Sequence, residues 1–283
     1  MSDYNFLITG ITGFFGRNFV DKVITKYPSS KIVGTAHSES KLAFFKKIFP
    51  DVKIYLIELS NPDIEITFDK IVKTHKINYI IHSAAMKHVD ICQENPTMAN
   101  LVNVVASNKL IQIAKNNKIN NMIALGTDKS NDPCNIYGHT KKIMQDNVIK
   151  NNYSIYQSAN FFWSDGSILD IWFNQYIRNK PITIRNPGHV RFFNTIDYVS
   201  SRILDNINCE GGTIMSPKYV YIVKIGDLLE AFRTYFNYHK VEFIPTYEYE
   251  KLIEKLSDDE IKKIETNVDD LIKLIDVYYK NMI

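Results

Sequence analysis

Apolar and polar positions alternate on two periods in the first half of the chain. Short, largely apolar runs at Phe6–Thr9, Lys31–Thr35, Val52–Ile57, Tyr79–His82, Asn121–Leu125 and Ser154–Ala159 predict strands. Between them, Arg17–Lys26, Ser40–Phe49, Phe68–His75, Met98–Asn116 and Tyr137–Asn151 carry apolar residues at helical spacing. Apolar strands alternating with helices predict a parallel sheet covered on both faces, with right-handed crossovers. The alternation stops after Phe161. Segments around Ile168–Ile177, Pro181–Arg185 and Val190–Val199 predict an irregular second lobe that returns to the first. Helical patterns at Ile225–Phe236, Tyr249–Leu256 and Asp258–Tyr279 close the chain. The expected division is a domain over 1–160, joined by parts of 190–215, and a smaller one over 161–283, with a ligand cleft between them.

Composition narrows the function. The chain has 283 residues, 45% hydrophobic and 23% charged, enough for a sizeable core. A net charge of +3 with no basic stripe argues against nucleic acid, while scattered lysines suit a small anionic ligand. No run approaches the roughly 20 apolar residues of a membrane span. The strand-like FLITG follows the first residues directly and leaves no room for a signal peptide. Cys92, Cys134 and Cys209 are far apart and in no metal-ligand spacing, which fits a reducing cytoplasm.

Between the first strand and first helix lies TGITGFFG, with Gly10, Gly13 and Gly16. Gly10 permits a sharp turn, Gly13 lets the backbone approach a pyrophosphate, and Gly16 brings the helix close to the sheet. The helix N-terminus then offers free N–H groups and a positive dipole end to phosphates. In this βαβ context the loop predicts a Rossmann-like, doubly wound α/β fold that binds a dinucleotide, with a smaller C-terminal substrate-binding domain. Thr12, Phe14 and Phe15 of the loop, and Ala84 and Ala85 behind the fourth strand, complete its candidate set. Where an acidic residue would select NAD at the end of the second strand, the chain has Ala36, His37 and Ser38. With His37, Ser38 and Lys41 available, the site leans to NADP; NAD binds instead if Glu39 swings in. Glu58 and Leu59, ending the third strand, flank the adenine.

The chemistry concentrates in TDKSNDPCNIYGHTK, Thr127–Lys141. Tyr137 and Lys141 are four apart and share a helix face. A nearby ammonium brings a phenol of free pKa about 10 toward working range, so that it can take a hydroxyl proton as hydride leaves the same carbon. Thr127, Asp128 and Lys129 follow the fifth strand at the carboxyl edge, where such sheets bind ligands. An Asp–Lys pair there supplies an acid and a base, which suits removal of a proton beside a carbonyl and loss of water.

These pieces resemble the extended short-chain dehydrogenase/reductases and, more narrowly, the inverting UDP-N-acetylglucosamine 4,6-dehydratases. TGITGFFG, HSAAMKHVDICQENPTMANLVNVVASN, ALGTDKSNDPCNIYGHTK, NFFWSDGSILDIW, VRFF and GGTIMSPK…KIGDLLEAF carry the match from Gly10 to Phe232. The resemblance implies that Thr127 orients the substrate and that Tyr137 is the redox base with Lys141 its partner. It makes Asp128 the acid for the departing 6-hydroxyl and Lys129 the base at C5. Met86 and Lys87 would line the pocket, and Asn103, Asn160 and Arg191 would lie near the catalytic centre, the sugar or the diphosphate. Hydride would leave C4 and return to C6, with C5 inverted in a 4-keto-6-deoxy product for acetamido-sugar synthesis. Relatives often self-associate, so a homo-oligomer is expected.

Three departures bear on the nucleotide grip and the exact substrate. YEYEKLIEK stands where the family has RPGEKxHE, with Tyr247 in place of its Arg; Gln157–Asn160 reads QSAN without the usual Gly; Asp170 replaces a common proline. Two alternatives stay open: a UDP-sugar 4-epimerase or 4-keto-reductase of the same fold, and a non-catalytic dinucleotide-binding protein.

Overall fold

The computed structural model describes residues 4–256 and 260–280. Two compact units form, Met1–Ser158 with Ile196–Ser216, and Ala159–Thr195 with Pro217–Ile283.

The first unit runs β1 (Asn5–Thr9), α1 (Phe14–Lys26), β2 (Lys31–Ala36), α2 (Glu39–Ile48), β3 (Lys53–Leu56), α3 (Ile64–His75) and β4 (Tyr79–His82). It continues through α4 (Val89–Glu94), α5 (Pro96–Asn100), a π-helical turn at Leu101–Val105, α6 (Ala106–Asn116), β5 (Asn121–Thr127), α7 (Ile136–Lys150) and β6 (Ser154–Ser158). The chain then leaves for β7 (Asn160–Phe161), α8 (Ile168–Ile177), β8 (Ile182–Ile184) and β9 (Val190–Asn194) of the second unit. It returns for α9 (Ile196–Asp205) and β10 (Ile214–Met215). The last elements, β11 (Tyr219–Lys224), α10 (Ile225–Phe236), β12 (Val241–Phe243), β13 (Lys262–Glu265) and α11 (Val268–Lys280), belong to the second unit.

Seven strands of the first unit form one sheet in the order β10-β6-β5-β4-β1-β2-β3. Every pairing in it is parallel. Phe6, Leu7 and Ile8 of β1 and Ile80 and Ile81 of β4 are fully buried, as an interior strand covered on both faces requires. The order in which strands are added reverses between β1 and β4, and the carboxyl ends of these strands open the crevice in which such sheets take ligands. This is the doubly wound fold that the pattern predicts.

Boundaries differ where packing outweighs periodicity. α1 starts at Phe14 and α3 at Ile64, earlier than expected, because Phe15 and Ile64 are buried in the core. The long helix expected over Met98–Asn116 is broken by the π-turn, in which Val102, Asn103 and Val104 are all buried. Such turns recur at functional sites. α4 escaped notice because six residues are too few to display a period.

In the second unit, a four-stranded sheet has the order β13-β11-β9-β7, beside a two-stranded pair β12-β8. Its core gathers Trp172, Phe162, Phe232, Leu228 and Leu271. Ile168–Ile177, expected as irregular, is the regular helix α8. The helix expected over Tyr249–Leu256 does not form. Val190 N–H donates to the Leu252 carbonyl at 2.9 Å and Arg191 to those of Lys251 and Leu252, so these carbonyls are held outside any helical ladder. Of the helix expected over Asp258–Tyr279, Asp258 lies outside the described residues, 262–265 is strand, and the helix begins at Val268.

Candidate active site

At the end of β1 the chain turns through Gly10, whose φ of +69° suits a residue without a Cβ. A Cβ there would also stand 3.0 Å from the Ala84 Cα and backbone nitrogen, so this turn and the segment behind β4 touch backbone to backbone. Gly13 N–H closes the turn on the Gly10 carbonyl at 2.9 Å, and Gly13, with no side chain to cap it, begins α1. Acidic residues are absent from the first turn of α1. An anion can therefore approach its N–H groups unopposed, and the loop fits a dinucleotide pyrophosphate. Arg17 braces the loop by donating to the Thr12 carbonyl at 2.9 Å. Of the candidate loop residues, Phe15 is a core side chain stacked on Phe19, so only its backbone faces a ligand role.

At the end of β2, His37 and Lys41 are exposed. Ser38 caps α2, accepting from Lys41 N–H at 3.4 Å, and pairs with Ser40 at 3.1 Å. Glu39 sits in the first helical turn, exposed. Glu58 bends back to accept from the Ser60 hydroxyl at 3.3 Å, and Leu59 packs on the core.

The short 3₁₀ turn Asp128–Ser130 continues from β5. Thr127 Oγ1 donates to Asp128 Oδ1 at 3.1 Å and accepts from Lys129 N–H at 3.3 Å. Lys129 Nζ reaches the same Asp128 oxygen at 3.2 Å, with side-chain exposures of 16% and 3%. Asp128 Oδ2 is buried and has no hydrogen-bond partner among the described residues. An orphan carboxylate oxygen at that depth is costly unless something else meets it. Gln157, one of the departures in the QSAN run, supports the turn by donating to Ser130 Oγ at 3.1 Å and Asn131 Oδ1 at 2.7 Å.

α7 brings Tyr137 to this turn. Asn135 caps the helix by accepting from Gly138 N–H at 2.8 Å. A Cβ on Gly138 would lie 2.5 Å from the Lys129 carbonyl, so only glycine allows the helix to press against the Asp128–Lys129 turn. Burial raises the Tyr137 phenol well above its ordinary value; a hydrogen bond with Thr127 pulls it down, and the Asp128 charge pushes it up. Lys141 is buried, donates to the Leu125 carbonyl at 2.6 Å, and is lowered to about 7 by desolvation. The expectation that the Lys141 ammonium by itself draws the phenol down is thereby corrected: burial opposes the charged form of both groups.

Behind β4, Ala84, Ala85 and Met86 are half-buried and Lys87 is exposed. Asn103 is 1% exposed and both ends of its amide are engaged: Oδ1 accepts from Met86 N–H at 2.8 Å, and Nδ2 donates to the Met86 carbonyl at 3.0 Å and Thr140 Oγ1 at 3.1 Å. It holds the pocket segment rather than facing a sugar. Gln93, which pins Ile136 N–H at 3.2 Å, and Thr140 were also missed, since a polar residue inside a helix has no sequence signature of its partner.

In the second unit, Asn160 donates to the Phe192 carbonyl at 2.9 Å. Arg191 Nη1 is shared among the carbonyls of Val190, Lys251 and Leu252 at 3.0, 3.0 and 3.2 Å. Tyr247 lies under the Arg185 guanidinium at 3.6 Å and stacks on Tyr249 at 4.8 Å.

The family model for polysaccharide biosynthesis proteins matches residues 6–275. An inverting UDP-N-acetylglucosamine 4,6-dehydratase of Campylobacter jejuni subsp. jejuni serotype O:2 is 28% identical over 241 residues, covering 80% of this chain and 70% of the relative. A UDP-glucose 4-epimerase of Rickettsia rickettsii is 28% identical over 280 residues, covering 92% and 80%. The dTDP-glucose 4,6-dehydratase of Bacillus anthracis str. Ames, solved in complex with NAD, superposes with a TM-score of 0.80 at 15% identity, covering 98% of this chain and 97% of that one. No helix among the described residues is long and apolar enough to cross a membrane. The chain belongs to the polysaccharide biosynthesis protein family, shares the fold of solved short-chain dehydrogenase/reductase enzymes, and is similar in sequence to nucleotide-sugar dehydratases and epimerases.

Proposed function

We propose that this protein is a UDP-N-acetylglucosamine 4,6-dehydratase that inverts C5. The observation that carries the reading is the Asp128–Lys129 pair, 3.2 Å apart and largely buried, on the turn against which α7 presses Tyr137. An epimerase needs one proton acceptor for a hydroxyl. A carboxyl group and an amine added to the same pocket suit an elimination. The kinship with the Campylobacter jejuni dehydratase supports the same choice.

In this reading the loop from Gly10 to Gly16 and the N-terminus of α1 hold a nicotinamide dinucleotide, with Ala84, Ala85, Glu58 and Leu59 flanking it. When bound, that cofactor would supply the redox chemistry, taking a hydride from C4 and giving it back at C6 after water has left. Tyr137 takes the proton of the 4-hydroxyl in its phenolate form, which the hydrogen bond with Thr127 favours against the opposing effect of burial. Once C4 is a ketone, the hydrogen on C5 is acidic and Lys129 removes it. Asp128 protonates the 6-oxygen, which departs as water. A proton delivered to the opposite face of C5 leaves the inverted 4-keto-6-deoxy sugar. Met86 and Lys87 line the pocket, and Asn103 holds Met86 in place. Lys41 favours NADP over NAD by offering a 2′-phosphate positive charge, with the exposed His37 beside it as a hydrogen-bonding side chain.

A second reading, a UDP-sugar 4-epimerase, is favoured by the Rickettsia rickettsii relative, whose match covers 92% of the chain. Incubation with UDP-N-acetylglucosamine and either dinucleotide, followed by NMR, separates the two. A product lighter by one water and inverted at C5 is expected. An intact sugar changed only at C4 would replace the dehydratase reading with the epimerase one.

A further inference from the structure

His82, the last residue of β4, serves neither as acid nor base in the proposed cycle, yet it is 3% exposed and bonded on both ring nitrogens. Its partners fix the direction of every proton. Ser107 Oγ donates to the Asn103 carbonyl at 2.8 Å, so it accepts from His82 Nε2–H, also at 2.8 Å. The neutral ring must then accept at Nδ1, and Thr9 Oγ1 donates there at 2.7 Å. Thr9 Oγ1 in turn accepts from Ala84 N–H at 3.2 Å, and its carbonyl accepts from the Ser83 hydroxyl at 2.6 Å. Burial and the nearby Lys141 charge lower the imidazole to about 3, which keeps it neutral and this arrangement intact over the whole working range.

The chain of bonds thus runs from Ala84 through Thr9, His82 and Ser107 to Asn103. Asn103 grips Met86 from both sides and reaches Thr140, which donates to the Tyr137 carbonyl at 3.0 Å. One end stands at the glycine turn and the other at the helix of Tyr137 and Lys141. We propose that His82 is a positioning residue that sets segment 83–86 against both the dinucleotide loop and the catalytic helix. The inference rests on the dinucleotide-dependent reading above.

Each half of the link can be cut alone. His82→Asn retains an acceptor near Nδ1 for Thr9 and loses the donor to Ser107. His82→Gln extends a donor toward Ser107 and loses the acceptor for Thr9. Dinucleotide Kd, measured by titration without sugar, and turnover of UDP-N-acetylglucosamine at saturating dinucleotide are compared with Tm. His82→Asn should keep Kd within about twofold and lose about tenfold in turnover, the worth of one buried hydrogen bond. His82→Gln should weaken Kd about tenfold with turnover reduced only about threefold. Parallel losses in both variants that follow Tm, or no loss in either, would overturn the proposal. Should the parent not turn over this sugar, the function reading fails, and the contrast in Kd between the two variants still decides the role of His82.

Discussion

Asn103 holds the backbone of Met86 from both sides, accepting from its N–H at 2.8 Å and donating to its carbonyl at 3.0 Å. The grip depends on a π-turn that buries Asn103 in the middle of an otherwise ordinary helix. Asn103→Asp keeps the acceptor but sets a carboxylate oxygen against the Met86 carbonyl and Thr140. It should cost about 1–3 kcal/mol of stability in denaturant unfolding and lower turnover about tenfold or more, since small displacements near the chemistry are severe. Unchanged turnover would mean that the Met86 segment is held by other contacts.

The Asp128–Lys129 pair separates elimination from hydride transfer. Lys129→Met and Asp128→Asn should each depress loss of water by about 10²–10⁴-fold, the range for a positioned acid or base. Hydride abstraction at C4, read as a transient absorbance change of the bound dinucleotide, should survive in Lys129→Met. Equal loss of both steps would remove Lys129 from the C5 role.

Tyr137→Phe should abolish the hydride step to a similar degree, about 10²–10⁴-fold. It deletes the phenol but leaves the ring packed, so its Tm should stay close to the parent. Dinucleotide Kd is the control, and a Kd that moves with turnover would point to cofactor seating instead.

Lys141 predicts a pH dependence of stability. Its folded value, lowered to about 7, lies below the unfolded value of 10.5. Between these values the unfolded chain holds a proton that the folded one has released, so stability rises with pH in that window, by up to about 1.4 kcal/mol per pH unit. Below pH 7 both states are charged and the full burden of the buried ammonium falls on the fold. Lys141→Met should accordingly gain most over the parent near pH 6, with the gain shrinking toward pH 10 in thermal unfolding. A gain that grows with pH would contradict the burial of this amine.

Gly16 tests the packing of the nucleotide loop. A Cβ at this position would lie 2.4 Å from the Ile11 carbonyl oxygen and 2.6 Å from its Cα, both backbone atoms that cannot yield. Gly16→Ala should cost about 1–3 kcal/mol and weaken dinucleotide binding together with it. A Tm equal to the parent's would mean that α1 shifts freely on the sheet.

Much of the molecule is legible in the residues alone because its determinants are local. Buried strands such as Phe6–Thr9 and Tyr79–His82 announce themselves by short, mostly apolar runs, and Gly10, Gly13 and Gly16 by their place between strand and helix. Tyr137 and Lys141 share a helix face through spacing alone. What spacing cannot carry is the identity of a partner remote in sequence. Asn103 meets Met86, His82 joins Thr9 to Ser107, and Arg191 takes the carbonyls that would have made Tyr249–Leu256 a helix, each only once the chain has closed. The electrostatics belong to the same class. The sequence by itself set which titratable groups the pocket holds. Only the tertiary structure, by removing water from Tyr137 and Lys141, decided that the phenol is raised and the amine lowered, because desolvation depends on everything packed around a group and not on its neighbours in the chain.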